Sequence, residues 1–120
     1  MKKSLPENII LVDKPKGITS FDVIRKLRKK LGIKKMGHAG TLDPLATGLM
    51  IIGIKDGTKK LNEFLKLDKT YIAEILFGIH TDTGDIDGEV LKEVEVIYME
   101  EDYVKEVINN FSGVFELPVP

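Results

Sequence analysis

The chain has 120 residues, with 18 Lys+Arg against 19 Asp+Glu, 42% hydrophobic residues and no cysteine. That composition excludes a fibre, a coiled coil, a disulfide scaffold, a thiolate metal site and a cysteine nucleophile, and it makes a reducing, cytoplasmic setting the default expectation. The longest apolar run, Leu49 to Ile54, falls far short of the roughly 20 residues that cross a bilayer, and the first eight residues hold no signal-peptide core, so no membrane role is expected. The near-zero net charge hides a polarised chain. Residues 1–70 carry 16 Lys/Arg against 7 Asp/Glu, a net of +9, and residues 71–120 carry 2 against 12, a net of -10. A half with that excess supplies a local potential that attracts phosphates; two solvated faces of opposite sign are the bland alternative.

In chain order, Asn8 to Asp13 is a short apolar run ended by Lys14-Pro15-Lys16-Gly17, a strand entering a turn. Ser20 offers a helix N-cap, and Phe21, Ile24, Leu27 and Leu31 recur at helical spacing until Gly32 stops the pattern. The other faces of this helix carry Arg25, Lys26, Arg28, Lys29 and Lys30, with Lys34 and Lys35 just beyond. Compensation of the helix dipole accounts for some of these cations, not for seven.

Met36 to Gly48 has neither the helical nor the strand period and reads as a tightly shaped loop. A strand is predicted over Leu49 to Lys55, then a turn at Asp56-Gly57 and a helix from about Thr58 to Leu67. Tyr71 to His80 alternates so regularly that it reads as a strand, and apolar residues on both of its faces predict a central position. Thr81 to Gly88 is a polar turn, Val90 to Tyr98 a further strand and Tyr103 to Phe111 a helix. The segment 114–120 reads as an extended strand without a partner. The expected class is α+β: a mixed, mainly antiparallel sheet flanked by helices.

Chemistry concentrates in Gly37-His38-Ala39-Gly40-Thr41-Leu42-Asp43-Pro44-Leu45-Ala46-Thr47-Gly48. Pro44 pushes Asp43 away from helical angles, the glycines permit close backbone approach to a ligand, and Leu42, Leu45 and Ala46 are apolar neighbours for the carboxylate. His38 lies near enough in sequence to meet the same ligand. Taken singly, Asp-Pro is a common turn and a lone histidine is usually structural.

Taken together, GHAGTLDPLATGLM closely resembles the aspartate-bearing motif of the TruB-type tRNA pseudouridine synthases. VDKPKGITSFD (12–22), KTYIAEILFG (69–78) and TDTGDIDG (81–88) follow that family in the same order, and Ala39, Leu45 and Ala46 are bacterial-type variants. The resemblance spans residues 8 to about 115. It implies about half of a pseudouridine synthase catalytic domain, and an isomerase that breaks the uridine C1′–N1 bond, turns the base and rejoins it through C5 in the T-arm stem-loop of tRNA, with no cofactor and no metal. Asp43 is then the catalytic carboxylate, acting as an anion on C1′, on the base or on a sugar proton. Tyr71 corresponds to a tyrosine that stacks on the target base, His38 to a residue that packs where the uridine has left its stack, and Asp85 to an acid near the site. Lys14 and Gly17 belong to a motif that supports the catalytic loop. Arg25, Lys26, Arg28, Lys29, Lys30, Lys34 and Lys35 become candidate phosphate contacts.

Family members are longer, and the sequence stops before their next motif, the basic partner of the catalytic carboxylate and the C-terminal RNA-binding domain. The expectation is therefore an N-terminal portion of a catalytic domain, 1–120, completed within a longer chain or by a second one, with weak or no turnover alone. Rival readings are a non-catalytic RNA-binding module and an aspartic protease built on Asp82-Thr83-Gly84. The protease lacks an apolar pair and glycine after the aspartate. A calcium loop at Asp82, Asp85 and Asp87 with Gly88 fails because, counting Thr83 as position one, the twelfth residue is Val94 rather than Glu, and no phosphate-cradling Gly-x4-Gly-Lys motif is present.

Overall fold

In the first half of the chain, a three-stranded sheet takes one amphipathic helix across one face. The computed structural model describes residues 5–117 and divides the chain between Thr70 and Tyr71 into two units. The first unit holds strand β1 (Ile9–Lys14), helix α1 (Ser20–Leu31), strands β2 (Met36–His38) and β3 (Gly48–Ile54), a 3-10 helix (Lys55–Lys60) and the short helix α2 (Leu61–Leu65). The sheet order is β1-β3-β2 with both pairings antiparallel, and registers such as Lys14↔Gly48 and His38↔Ile52 fix it.

Strand alternation decides which side chains face the helix. On β3 these include Met50 and Ile52, essentially without exposure, and on β1 they are Ile10, Val12 and Lys14. Val23 and Ile24 of α1 close the core with Met36, and Leu27 packs at its edge. Burying each such side chain is worth roughly 1.5–3 kcal/mol. Thr19, rather than Ser20, caps α1. Its hydroxyl accepts from the Asp22 N–H while the Asp22 carboxylate accepts from the Thr19 N–H, a reciprocal capping box. The backbone N–H of Thr19, its hydroxyl and then Arg25 hold the Asp22 carboxyl below its ordinary value. Gly32 ends the helix in the left-handed region, φ 67°, and its N–H donates to the Arg28 carbonyl.

Two further expectations for this unit need correction. Met36 to His38 is a strand: it borrows its ladder from β3, a long-range pairing invisible to local periodicity. The helix expected from Thr58 to Leu67 is a 3-10 segment followed by one α-helical stretch over Leu61–Leu65. Close packing accompanies the tighter turn: a Cβ on Gly57 would collide with the carbonyl of Asn8, the residue before β1.

The second unit contains β4 (Ile79–Thr81) and β5 (Val90–Glu93), an antiparallel pair with an irregularity at His80/Thr81, and helix α3 (Glu101–Asn109). The predicted polar turn thus joins a hairpin, and α3 forms two residues ahead of expectation. Strand structure is much shorter than predicted. Residues 71–76 have no ladder partner among the described residues, and Ile72 is 98% exposed. Alternation prepares a segment for a sheet, but only a neighbouring strand makes it one. Residues 94–98 likewise lie outside β5, and 114–117 belong to no strand; 118–120 lie outside the described residues. The class is α+β, with small antiparallel sheets and helices, as expected.

Candidate active site

The loop between β2 and β3 is held on both sides of Asp43 by side chains from the β1–α1 region. Lys14, fully buried, points its amino group at three carbonyls: Pro15 at 2.9 Å, Ile18 at 2.7 Å and Pro44 at 3.3 Å. All three donors of an ammonium are thereby matched, which is how a buried cation without a carboxylate partner is tolerated. The Gly17 N–H donates to the same Pro44 carbonyl at 2.8 Å. On the other side, the Ser20 hydroxyl, 3% exposed, accepts from the Leu42 N–H at 2.9 Å and donates to the Leu42 carbonyl at 3.1 Å. Within the loop, the Ala46 N–H donates to the Asp43 carbonyl at 2.9 Å, a turn with Asp first and Pro second, the residues this turn prefers.

Asp43 itself is exposed, and among the described residues no hydrogen bond or ion pair engages its carboxylate. The backbone on either side is fixed while the charged group stays open to solvent. His38, half-buried at the end of β2, places Nδ1 2.7 Å from the Gly40 carbonyl. A carbonyl only accepts, so Nδ1 carries the hydrogen and Nε2 is the ring atom left for a further partner.

The seven cations in and beyond α1 separate into two sets. Arg25 pairs with Asp22 and stands 5.3 Å from the Phe21 ring centroid; Arg28 lies 5.9 Å from the same ring, is half-buried and donates to the Met36 carbonyl at 3.2 Å. Lys26, Lys29, Lys30, Lys34 and Lys35 are exposed. Lys35 also meets the far end of the sheet, where its carbonyl accepts from the Lys55 N–H at 2.9 Å.

Tyr71 and Asp85 belong to the second unit. Tyr71 is 70% exposed. Asp85 organises its own turn: its carboxylate accepts from the Thr83 hydroxyl at 2.7 Å and the Asp87 N–H at 3.0 Å, and its carbonyl accepts from the Thr81 hydroxyl at 2.6 Å. No group of three or more metal-ligating side chains occurs among the described residues. No helix among them is long and apolar enough to cross a membrane. The residue that sequence reasoning missed is Ser20. It was legible only as a cap, because its partner Leu42 lies 22 positions away.

The geometry now meets three comparisons with known proteins. The model of the TruB family pseudouridylate synthase (N terminal domain) matches residues 28–120. The tRNA pseudouridine synthase B of Endomicrobium trichonymphae is 42% identical over 113 residues, covering 93% of this chain and 49% of that protein. The proteins of the same name from Protochlamydia amoebophila and Aquifex aeolicus are 47% and 44% identical over 115 residues, covering 95% of this chain in each case and 44% and 40% of theirs. A chain from a solved H/ACA RNP bound to a substrate RNA containing 2'-deoxyuridine aligns over 46% of this chain and 17% of its own, at 36% identity and a TM-score of 0.45. The family model and the relatives put the chain among the pseudouridylate synthases. It belongs to the TruB family and carries that family's N-terminal domain. The chain spans about half the length of the curated relatives it matches, or somewhat less.

Proposed function

We propose that the protein converts uridine to pseudouridine in the T-arm stem-loop of tRNA, with Asp43 as the catalytic carboxylate. The reading rests on one observation above the rest: an exposed, unengaged carboxylate between two residues whose peptide groups are clamped from β1 and α1. A group fixed in this way meets a substrate without first losing backbone freedom, and positioning of that kind is a large part of catalysis. Tyr71 and His38 serve the everted base and the space it leaves, Asp85 supports the site, and the exposed lysines of α1 and its C-terminal extension contact phosphates. In this reading residues 1–120 belong to the N-terminal portion of the catalytic domain, and a span about half the length of its relatives turns over weakly or not at all by itself.

Replacing Asp43 by Asn in the full-length protein tests the assignment. Pseudouridine formation on a T-arm stem-loop falls by about a thousandfold or more, while RNA affinity stays within about threefold because no phosphate contact is lost. Turnover that survives the substitution removes Asp43 from its role. A wild-type protein that binds the stem-loop and never isomerises it favours the RNA-binding module instead.

A further inference from the structure

We infer that Ser20 is a positioning residue for the Asp43 carboxylate, an inference that rests on the catalytic role proposed above for Asp43. A single hydroxyl, buried at the first turn of α1, engages both the N–H and the carbonyl of Leu42, the residue immediately before Asp43. One oxygen thereby does the work of a strand neighbour, matching both peptide groups of a half-buried loop residue that has no ladder partner of its own.

The arrangement differs in kind from the Lys14 contact on the other side. The Pro44 carbonyl accepts twice, from Lys14 and from the Gly17 N–H, so either donor can be lost and the carbonyl is still held. Leu42 has no such reserve: both of its peptide groups depend on the one hydroxyl. Without it, the peptide rotates to find water, and the rotation is transmitted through one Cα to the carboxylate. Displacement of a reacting group by about 1 Å costs about a hundredfold in rate, even when its cause lies away from the chemistry.

The helix supplies its own cap through Thr19 and Asp22, so the Ser20 hydroxyl is not consumed in starting α1. Its burial beside Val23 and Ile24 also places it on the core face of the helix, away from the lysines that face solvent. A change at Ser20 therefore reaches the chemistry through loop geometry and leaves the phosphate-contacting surface as it was.

The test compares Ser20→Ala with Ser20→Thr in the full-length protein, assayed for pseudouridine formation on a T-arm stem-loop alongside Asp43→Asn. Ser20→Ala lowers kcat about a hundredfold with KM within about threefold, and Ser20→Thr, which keeps the oxygen, restores kcat to within about tenfold of wild type. Exchange of the Leu42 amide hydrogen accelerates in the alanine variant and stays slow in the threonine variant. Wild-type kcat in Ser20→Ala, or a loss carried by KM alone, overturns the inference. Should the alanine variant fail to fold, Ser20→Thr and Ser20→Val decide it, since they differ in oxygen against methyl at nearly equal volume: equal kcat in the two overturns the assignment, and loss only in the valine variant supports it. Activity retained in Asp43→Asn is a separate result, which removes the catalytic role itself rather than the part played by Ser20.

Discussion

The two units differ in how they treat apolar side chains. In the first, Ile9, Val23, Ile24, Met36, Met50 and Ile52 are buried; in the second, no hydrophobic residue is buried among the described residues, and Thr81 is the one buried side chain among them. Ile97 and Tyr98 are 79% and 88% exposed there, and the apolar alternation of 71–76 is uncovered. The first unit closes its own core with one helix over a three-stranded sheet. The second carries the pattern of buried strands and none of the burial. A segment can thus hold the signature of a core without the layer that completes it, and the loop proposed to be catalytic lies on the unit that closes its own core.

The sharpest way to break this comparison is a pair of truncations in the 120-residue chain. Ile52→Ala, at a position with no exposure on the central strand, lowers stability by about 2–5 kcal/mol, whereas Ile97→Ala stays within about 0.5 kcal/mol. Chemical denaturation measures both, and equal losses would erase the distinction. Amide exchange gives the same contrast residue by residue, slow in β3 and fast across 71–76.

Next in size is Lys14→Met, which removes three donors from carbonyls that pack around a buried site. A loss of about 1–3 kcal/mol is expected, smaller than that of Ile52→Ala because Gly17 still serves the Pro44 carbonyl. A neutral or stabilised variant would show that the cation is not what ties β1 to the loop.

Removal of surface lysines sharpens a different side of the comparison. Lys29→Ala and Lys30→Ala each reduce the salt dependence of RNA binding by about 0.7–0.9 in the slope of log K against log salt, without a change in stability. Arg28→Ala has the opposite profile, since its guanidinium is committed to the Met36 carbonyl and the Phe21 ring: stability falls and the salt slope hardly moves.

The smallest effect concerns pH. The Asp22 carboxyl is held below its ordinary value of 3.8, first by the Thr19 backbone N–H. A depressed folded value means that stability from this carboxylate is fully present above 3.8 and is lost as pH falls through the lower folded value. Asp22→Ala therefore lowers the melting temperature at neutral pH, and the gap from wild type narrows in acid. A gap that widens in acid would contradict the capping arrangement.

The parts of this architecture that were legible in the sequence are those written locally. Strand β1, helix α1 with its stop at Gly32, strand β3 and the hairpin turn at 81–88 all follow from periodicity and turn chemistry among near neighbours. What was not legible depends on residues distant in the chain. Met36 to His38 becomes a strand only because β3 lies beside it, and Ser20 reads as a cap until Leu42 is brought to it. Lys14 could have been placed by alternation, since Ile10, Val12 and Lys14 share one face of β1, yet a lysine continuing an apolar face argues against burial until its three carbonyl partners are known. Over 71–78 the converse holds: the local alternation is present, and no partner strand lies beside it among the described residues.

Delivery of the Asp43 carboxylate to the uridine is tested most directly by a structure of the full-length protein bound to a T-arm stem-loop. An Asp43 oxygen is expected within about 3–3.5 Å of the sugar or ring of an everted uridine, with Leu42 still held by Ser20 and Pro44 by Lys14. An everted uridine bound elsewhere, with Asp43 facing solvent or turned into backbone hydrogen bonds, would contradict it.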